Sequence, residues 1–168
     1  MPTDEELVAE ARAGSRDAAA ELFERHWPAA WRVAFALTGT TASAEDVAQD
    51  SFERAFSALR TFNGRSAFST WLYRIVGNRA LNVRRREARL VHVEAGTEQA
   101  PGEVPAPGSE VADAVARLPS DRRAVVVMRY WLGFTPGEIA AIFDLPVGTV
   151  HSRLGRALAD LRKELEAT

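Results

Sequence analysis

The run TPGEIAAIFDLPVGTVHSRLGRAL, from Thr135 to Leu158, constrains the fold more than any other stretch. Thr135 stands three residues before Glu138, with Pro136 at the first helical position. A helix therefore starts there on two independent local cues, a reciprocal side-chain cap and a proline whose missing N–H costs nothing. It is short, because Asp144 tolerates a left-handed backbone and Pro146 cannot continue the hydrogen-bond ladder. A second helix starts near Pro146, with Val150, Leu154, Leu158, Leu161 and Leu165 as its expected buried stripe. Thr149, His151, Ser152, Arg153, Gly155 and Arg156 are then left toward solvent or a groove. This is helix-turn-helix spacing, and its second helix offers small, polar and basic groups suited to the major groove. The alternative is a helical hairpin whose polar face is simply solvated. Gly148 and Gly155 favour the groove, since glycine costs ~1 kcal/mol in an exposed helix and is better explained where another surface comes close.

The same periodicity runs through the first half. Thr3 and Glu6 have capping-box spacing ahead of an amphipathic run from Asp4 to Ala13, which Gly14 ends. A second helix follows Ser15 to about Leu37, burying Ala19, Leu22, Phe23, Trp31 and Phe35, with Pro28 as a point of bending. Ser43 with Asp46 marks the start of a third. On it Ala44, Ala48, Ser51, Phe52, Ala55, Phe56 and Leu59 recur at three- and four-residue spacing, and Glu45, Asp46, Gln49, Asp50, Glu53 and Arg54 face out. A fourth helix runs from about Ser66 into Arg84-Arg85-Arg86, burying Phe68, Leu72 and Ile75. The segment Val93 to Ser109 is rich in Pro, Gly and Glu with little to bury, which is linker composition. Beyond it a short helix to Leu118 and a capped one from Ser120 through Trp131 precede the opening motif. The expected fold is all-α: two small helical domains, 1–88 and 111–168, joined by a flexible acidic linker over 89–110.

The totals exclude several classes. The 168 residues contain no cysteine, so disulfides, thiol catalysis and Cys-based zinc sites are ruled out. No apolar run approaches the ~18 residues of a membrane span and no signal-peptide pattern follows Met1, so a cytoplasmic protein with no membrane insertion is expected. His26 and His92 have no partners at metal spacing and read as ordinary surface residues, and no metal or other cofactor is expected. There is no Gly-rich phosphate loop, and no nucleophile stands beside a base, so neither an enzyme nor a small-molecule substrate is expected. A net charge of −2 argues against a protein that coats nucleic acid by itself. The sum conceals a basic middle: Arg60 to Arg89 carries eight arginines against Glu87, while Leu90 to Ala116 has no Lys or Arg.

LPSDRRAVVVMRYWLGFTPGEIA followed by LPVGTVHSRLGRALADLR resembles domain four of the extracytoplasmic-function (ECF) sigma factors of bacterial RNA polymerase. AEDVAQDSFERAFSALRTFNGRSAFSTWLYRIVGNRALNVRRR resembles their domain two. The likeness covers almost everything but the linker, and two motifs in the family's order are more specific than either alone.

The resemblance implies a non-enzymatic factor that binds core RNA polymerase, directs it to two-part promoter DNA and promotes melting, with an anti-sigma factor as its usual inhibitor. Asp46, Gln49, Asp50, Glu53 and Arg54 would dock on the clamp helices of the polymerase. Phe62, Asn63, Arg65 and Ser66 in the loop, with Asn78 on the helix, would open the minus-ten element and hold a flipped base, the amide pairing with a base edge. Arg74, Arg79, Arg84, Arg85 and Arg86 would meet phosphates. Trp71 is expected in the core. In domain four His151, Ser152 and Arg156 match positions facing the minus-thirty-five element, Arg129 and Thr149 match backbone contacts, and Arg153 belongs to the same surface. His151 stands where the family usually has Lys or Arg. Two other readings are a sigma mimic that sequesters anti-sigma factors and a stand-alone helix-turn-helix regulator. The mimics of the first kind carry a phosphate-receiver domain for which this chain has no room, and the second would bring an α/β sensing domain.

Overall fold

A computed structural model describes residues 1–91 and 110–167, and among these every regular element is helical. The chain order is α1 (Asp4–Arg12), α2 (Arg16–Thr38), α3 (Thr41–Ser57), α4 (Phe68–Val91), α5 (Glu110–Arg117), α6 (Ser120–Val126), α7 (Pro136–Phe143) and α8 (Val147–Glu166). A 3-10 turn at Leu59–Thr61 follows α3, and a π turn at Val127–Trp131 continues α6. The linker expected over 89–110 lies largely outside the described residues, as does His92.

Local chemistry sets most helix ends. Thr3 and Glu6 form a reciprocal cap on α1, and Ser15 accepts from the Ala18 amide at the start of α2. Gly39 takes a left-handed backbone, φ 79°, to end α2, which runs unbroken through Pro28. The third helix starts earlier than expected: Thr40, not Ser43, is the cap, in an extended conformation with its hydroxyl accepting from the Ser43 amide. The fourth starts at Phe68 and continues past the arginine run to Val91. In α6 the cap position is Pro119, with no side-chain cap, in place of the cap expected at Ser120.

Helices α1 to α4 form the expected bundle around Leu22, Val33, Val47, Phe52, Leu72 and Val76, each at most 2% exposed. Burying side chains of this size stabilises by roughly 1.5–3 kcal/mol each relative to leaving them in water. In the second half α5 and α6 pack on α8, helped by the pairs Arg117–Glu164 and Arg122–Asp160. The buried stripe of α8 is Val150, Leu154, Ala157 and Leu161, whereas Leu158 and Leu165 are 45% and 37% exposed. A stripe following 3.6 residues per turn steps back to Ala157 after Leu154, which carries Leu158 and Leu165 past its edge.

The two halves are packed against each other. Helix α7 lies along α4, with α2 touching α6. Tyr73 meets Phe134 edge to face at 5.5 Å, and Arg74 pairs with Asp144 at 3.7 Å. One apolar core runs through both.

Candidate nucleic-acid and polymerase interface

The helix-turn-helix forms as its sequence demands. Thr135 and Glu138 cap α7 reciprocally with Pro136 at its start, and Asp144 ends it in the left-handed region at φ 53°. Ile139, Ala140, Ile142 and Phe143 are buried, which fixes the turn against α8. On α8 His151, Ser152 and Arg156 are exposed and Thr149 is half-buried. A Cβ on Gly148 or Gly155 would meet nothing within 4 Å, so this side of the helix is open to a close-fitting surface. Arg153 differs from its neighbours: it is half-buried, turns toward Asp121 at 3.8 Å and lines the cleft between the two halves. Arg129 donates to the Phe134 carbonyl at 3.4 Å and lies beside the Tyr130 ring. It braces the entry to the motif.

In the first half the loop after α3 divides into a rooted base and a free tip. Phe62 is 8% exposed, its ring against Trp71 at 5.0 Å and perpendicular to Phe68 at 6.1 Å. It anchors the loop from within rather than offering an open face to a base, because an aromatic between two others gains more from burial than from water. Asn63, Gly64, Arg65 and Ser66 are exposed. The Asn63 side chain accepts from the Arg65 amide at 3.0 Å and Gly64 adopts φ 73°, so the tip is held in a tight polar turn.

On α4, Asn78 is exposed at the cleft, and Asn82, one turn on, lines it too. Sequence reasoning passed over Asn82, although its four-residue spacing from Asn78 places both amides on one face. The arginines divide by engagement. Arg84 donates to the Leu37 carbonyl at 2.9 Å, Arg79 pairs with Asp50 at 2.6 Å, and Arg74 and Arg86 are exposed. The Arg85 side chain lies outside the described residues. On α3, Asp46, Gln49, Glu53 and Arg54 are exposed and Asp50 is half-buried, its carboxylate also accepting from Arg54 at 3.1 Å. Asp50 thus ties the acidic face of α3 to the basic face of α4.

The cleft between the halves has a volume of about 670 Å³ and is bordered by Asn78, Asn82, Arg84, Asp121, Asp144 and Arg153. Arg123, 4% exposed, lies within Coulomb range of Arg84, and burial first, then that like charge, lowers its pKa from the usual arginine value. Among the described residues no group of three or more His, Cys, Asp or Glu could hold a metal ion, and no helix is long and apolar enough to cross a membrane.

His26 is not the surface residue expected. It is 7% exposed, with Nε2 2.7 Å from the Asp4 carboxylate and Nδ1 3.1 Å from the Tyr73 hydroxyl. Tyr73 has its pKa raised to about 12, by burial first and then by the charge of Asp4. Its ring reaches Phe134 of the second half, so Asp4, His26 and Tyr73 form a polar line from α1 to the junction.

Residues 22–90 match the family described as Sigma-70 region 2, and residues 109–161 the one described as Sigma-70, region 4. The chain is 30% identical over 176 residues to the ECF RNA polymerase sigma factor SigW of Bacillus subtilis (strain 168), with 94% of each covered. It is 34% identical to the ECF RNA polymerase sigma factor SigL of Mycobacterium tuberculosis (strain ATCC 25618 / H37Rv), covering 86% of this chain and 87% of the other. Among solved structures it is similar to CnrH in complex with the cytosolic domain of CnrY, with a TM-score of 0.71 and 31% identity over 98% of this chain and 97% of that one. It is also similar to the sigma factor RpoE in complex with the anti-sigma factor NepR from Bartonella quintana, with a TM-score of 0.72 and 25% identity over 88% of this chain and 96% of that one. Two family regions in order, and relatives alike along nearly their whole length, make this chain a member of the ECF RNA polymerase sigma factors.

Proposed function

We propose that the protein binds core RNA polymerase in the cytoplasm, directs it to promoters with a minus-ten and a minus-thirty-five element, and opens the first of these. The observation that carries this reading is the pairing, on one chain of sigma regions two and four, of an exposed amide-and-arginine face on α4 with an open polar face on α8. Asp46, Gln49, Glu53 and Arg54 serve as the polymerase contact. Asn63, Arg65, Ser66 and Asn78 receive an unstacked base, which such sites reward with ~1–3 kcal/mol per base. Arg74, Arg79 and Arg84 to Arg86 hold the strand's phosphates, Arg79 and Arg84 after leaving Asp50 and Leu37. His151, Ser152, Arg153 and Arg156 read or grip the upstream duplex. The protein adds recognition and binding energy, and the polymerase performs the chemistry.

The contact between the halves adds a condition. Elements named minus ten and minus thirty-five lie about 25 base pairs apart, or roughly 85 Å along the duplex at ~3.4 Å per pair. Two small domains with radii of gyration of ~13 Å each cannot cover that span while α7 rests on α4. The segment between Val91 and Glu110, about eighteen residues, reaches at most roughly 60 Å when extended. With the domains' own widths this suffices. Promoter binding therefore requires the halves to part, and an anti-sigma factor that holds them together would inhibit. The likeness to a sigma factor in complex with the anti-sigma factor NepR supports such a partner.

Run-off transcription with core polymerase and fragments of the organism's own genome tests the reading. Specific transcripts from a subset of fragments are expected. Stable core binding with no specific transcript from any fragment would favour a mimic that only captures anti-sigma factors.

A further inference from the structure

Helix α1 lies outside the segment that matches sigma region two, which begins at residue 22. It is nonetheless fastened at both ends. At its start Asp4 accepts from Arg25 at 2.8 Å and reaches His26 at 2.7 Å, and Leu7 and Val8 are buried beneath its middle. At its end Arg12 crosses to the turn after α3: Nε donates to the Leu59 carbonyl at 2.9 Å, and the guanidinium sits over the Phe62 ring, 5.8 Å from its centroid.

Both contacts fall on the root of the loop. The Leu59 carbonyl also accepts the Phe62 amide, at 3.3 Å, so Arg12 completes the coordination of the oxygen that closes the turn. Phe62 is wedged between Trp71 and Phe68 at the start of α4, and Arg12 covers its remaining face. The next residues, Asn63 to Ser66, are exposed and follow this root directly in the chain. A charged donor to a half-buried carbonyl is among the stronger hydrogen bonds, and an arginine over an aromatic ring adds a second attraction.

We propose that Arg12 is a positioning residue for strand capture. It acts through Leu59 and Phe62 to hold the Asn63–Ser66 tip in the orientation that receives the unpaired base, and α1 is the brace that delivers it. This rests on the sigma reading above. Fixing the tip in advance removes conformational freedom that would otherwise be lost when the strand is bound. The loop then competes better against reannealing of the duplex.

The test uses the full chain with core polymerase on a promoter found by the run-off assay, as linear duplex and as the same sequence with a pre-melted minus-ten bubble. Open complex is read by permanganate reactivity and core affinity by titration. Arg12→Ala should lower open complex on the duplex and binding to the bubble template alike, each about tenfold, and leave core affinity within about twofold. Arg12→Lys, which keeps the charge and one donor but not the planar fork, should recover part of the loss. Equal opening by wild type and Arg12→Ala would overturn the proposal, as would undiminished binding to the bubble template or a parallel loss of core affinity. If Arg12→Ala folds poorly, Arg12→Lys alone decides: a deficit on both templates with core affinity unchanged supports the role, and none refutes it. Failure of the wild type to open any promoter would instead overturn the sigma reading, and this role with it.

Discussion

Gly77 of α4 lies so close to Ile142 of α7 that a Cβ there would stand 2.8 Å from Ile142 Cγ2 and 3.0 Å from its carbonyl oxygen. Neither atom gives way easily, since isoleucine is stiff at its branched carbon and the carbonyl belongs to the helix backbone. The closest approach of the two halves is thus built on a missing side chain. Within α4 itself the substitution is benign, because alanine exceeds glycine in helix interiors by roughly 0.5–1 kcal/mol.

These opposing effects separate the two levels of structure. Gly77→Ala should keep or raise the stability of the first bundle while loosening its hold on α7, and Gly77→Leu should part the halves. Small-angle scattering is the check. A compact chain of this length has a radius of gyration of about 15 Å, and Gly77→Leu should lie clearly above it. A leucine variant as compact as wild type would show that Gly77 does not control closure.

Asn78 lies one residue further along α4, exposed at the cleft. Asn78→Ala removes an amide able to donate to and accept from a base edge, without touching the buried face of the helix. It should lower open-complex formation about tenfold, from the ~1–3 kcal/mol attached to a captured base, and change closed-complex formation little. Permanganate reactivity and footprinting at low temperature report the two separately. Equal loss of both would remove Asn78 from base capture.

How far these features were legible depends on the distance over which each is determined. The helix-turn-helix was readable to the residue, because Thr135 with Glu138 and Asp144 with Pro146 act within four residues of one another. His26 was misread as a surface residue because its partners, Asp4 and Tyr73, lie 22 and 47 positions away. Phe62 was expected to meet a base because the family resemblance places it there, and only the tertiary position of Trp71 and Phe68 shows its ring to be buried between them. Gly77 looks like any glycine in a helical run until α7 arrives above it. Leu158 and Leu165 were placed in the core by an idealised repeat, and they stand past the edge of a buried stripe that runs through Val150, Leu154, Ala157 and Leu161.

Tyr73 gives the fold an alkaline limit. Its pKa rises from the ordinary 10 to about 12 in the folded state, through burial and then the nearby charge of Asp4. The folded protein therefore keeps a proton that the unfolded chain loses above pH ~10, and stability falls as pH rises between about 10 and 12. A shift of this size corresponds to ~2–3 kcal/mol across the window. Urea unfolding at pH 8 to 12 should show the decline in wild type. Tyr73→Phe should be less stable at pH 8 by about 1 kcal/mol, having lost the hydrogen bond to His26, with a flatter alkaline limb. An unchanged slope in the phenylalanine variant would assign the decline to other groups.

On α8, His151 is exposed and faces away from the rest of the chain, so its substitution tests the upstream contact without disturbing packing. His151→Arg places one permanent positive charge beside Ser152. If that position meets the phosphate backbone, one more counterion is released on binding, and the slope of log affinity against log salt should steepen by ~0.9. The gain should be similar across promoters that differ only in the minus-thirty-five sequence, since a phosphate contact carries no base identity. If His151 instead reads a base edge, the variant should change the ranking of those promoters with a smaller change in salt slope. Competition binding of the polymerase holoenzyme over a salt series distinguishes the two. No change in either slope or ranking would place His151 outside the DNA interface and leave recognition to Ser152 and Arg156.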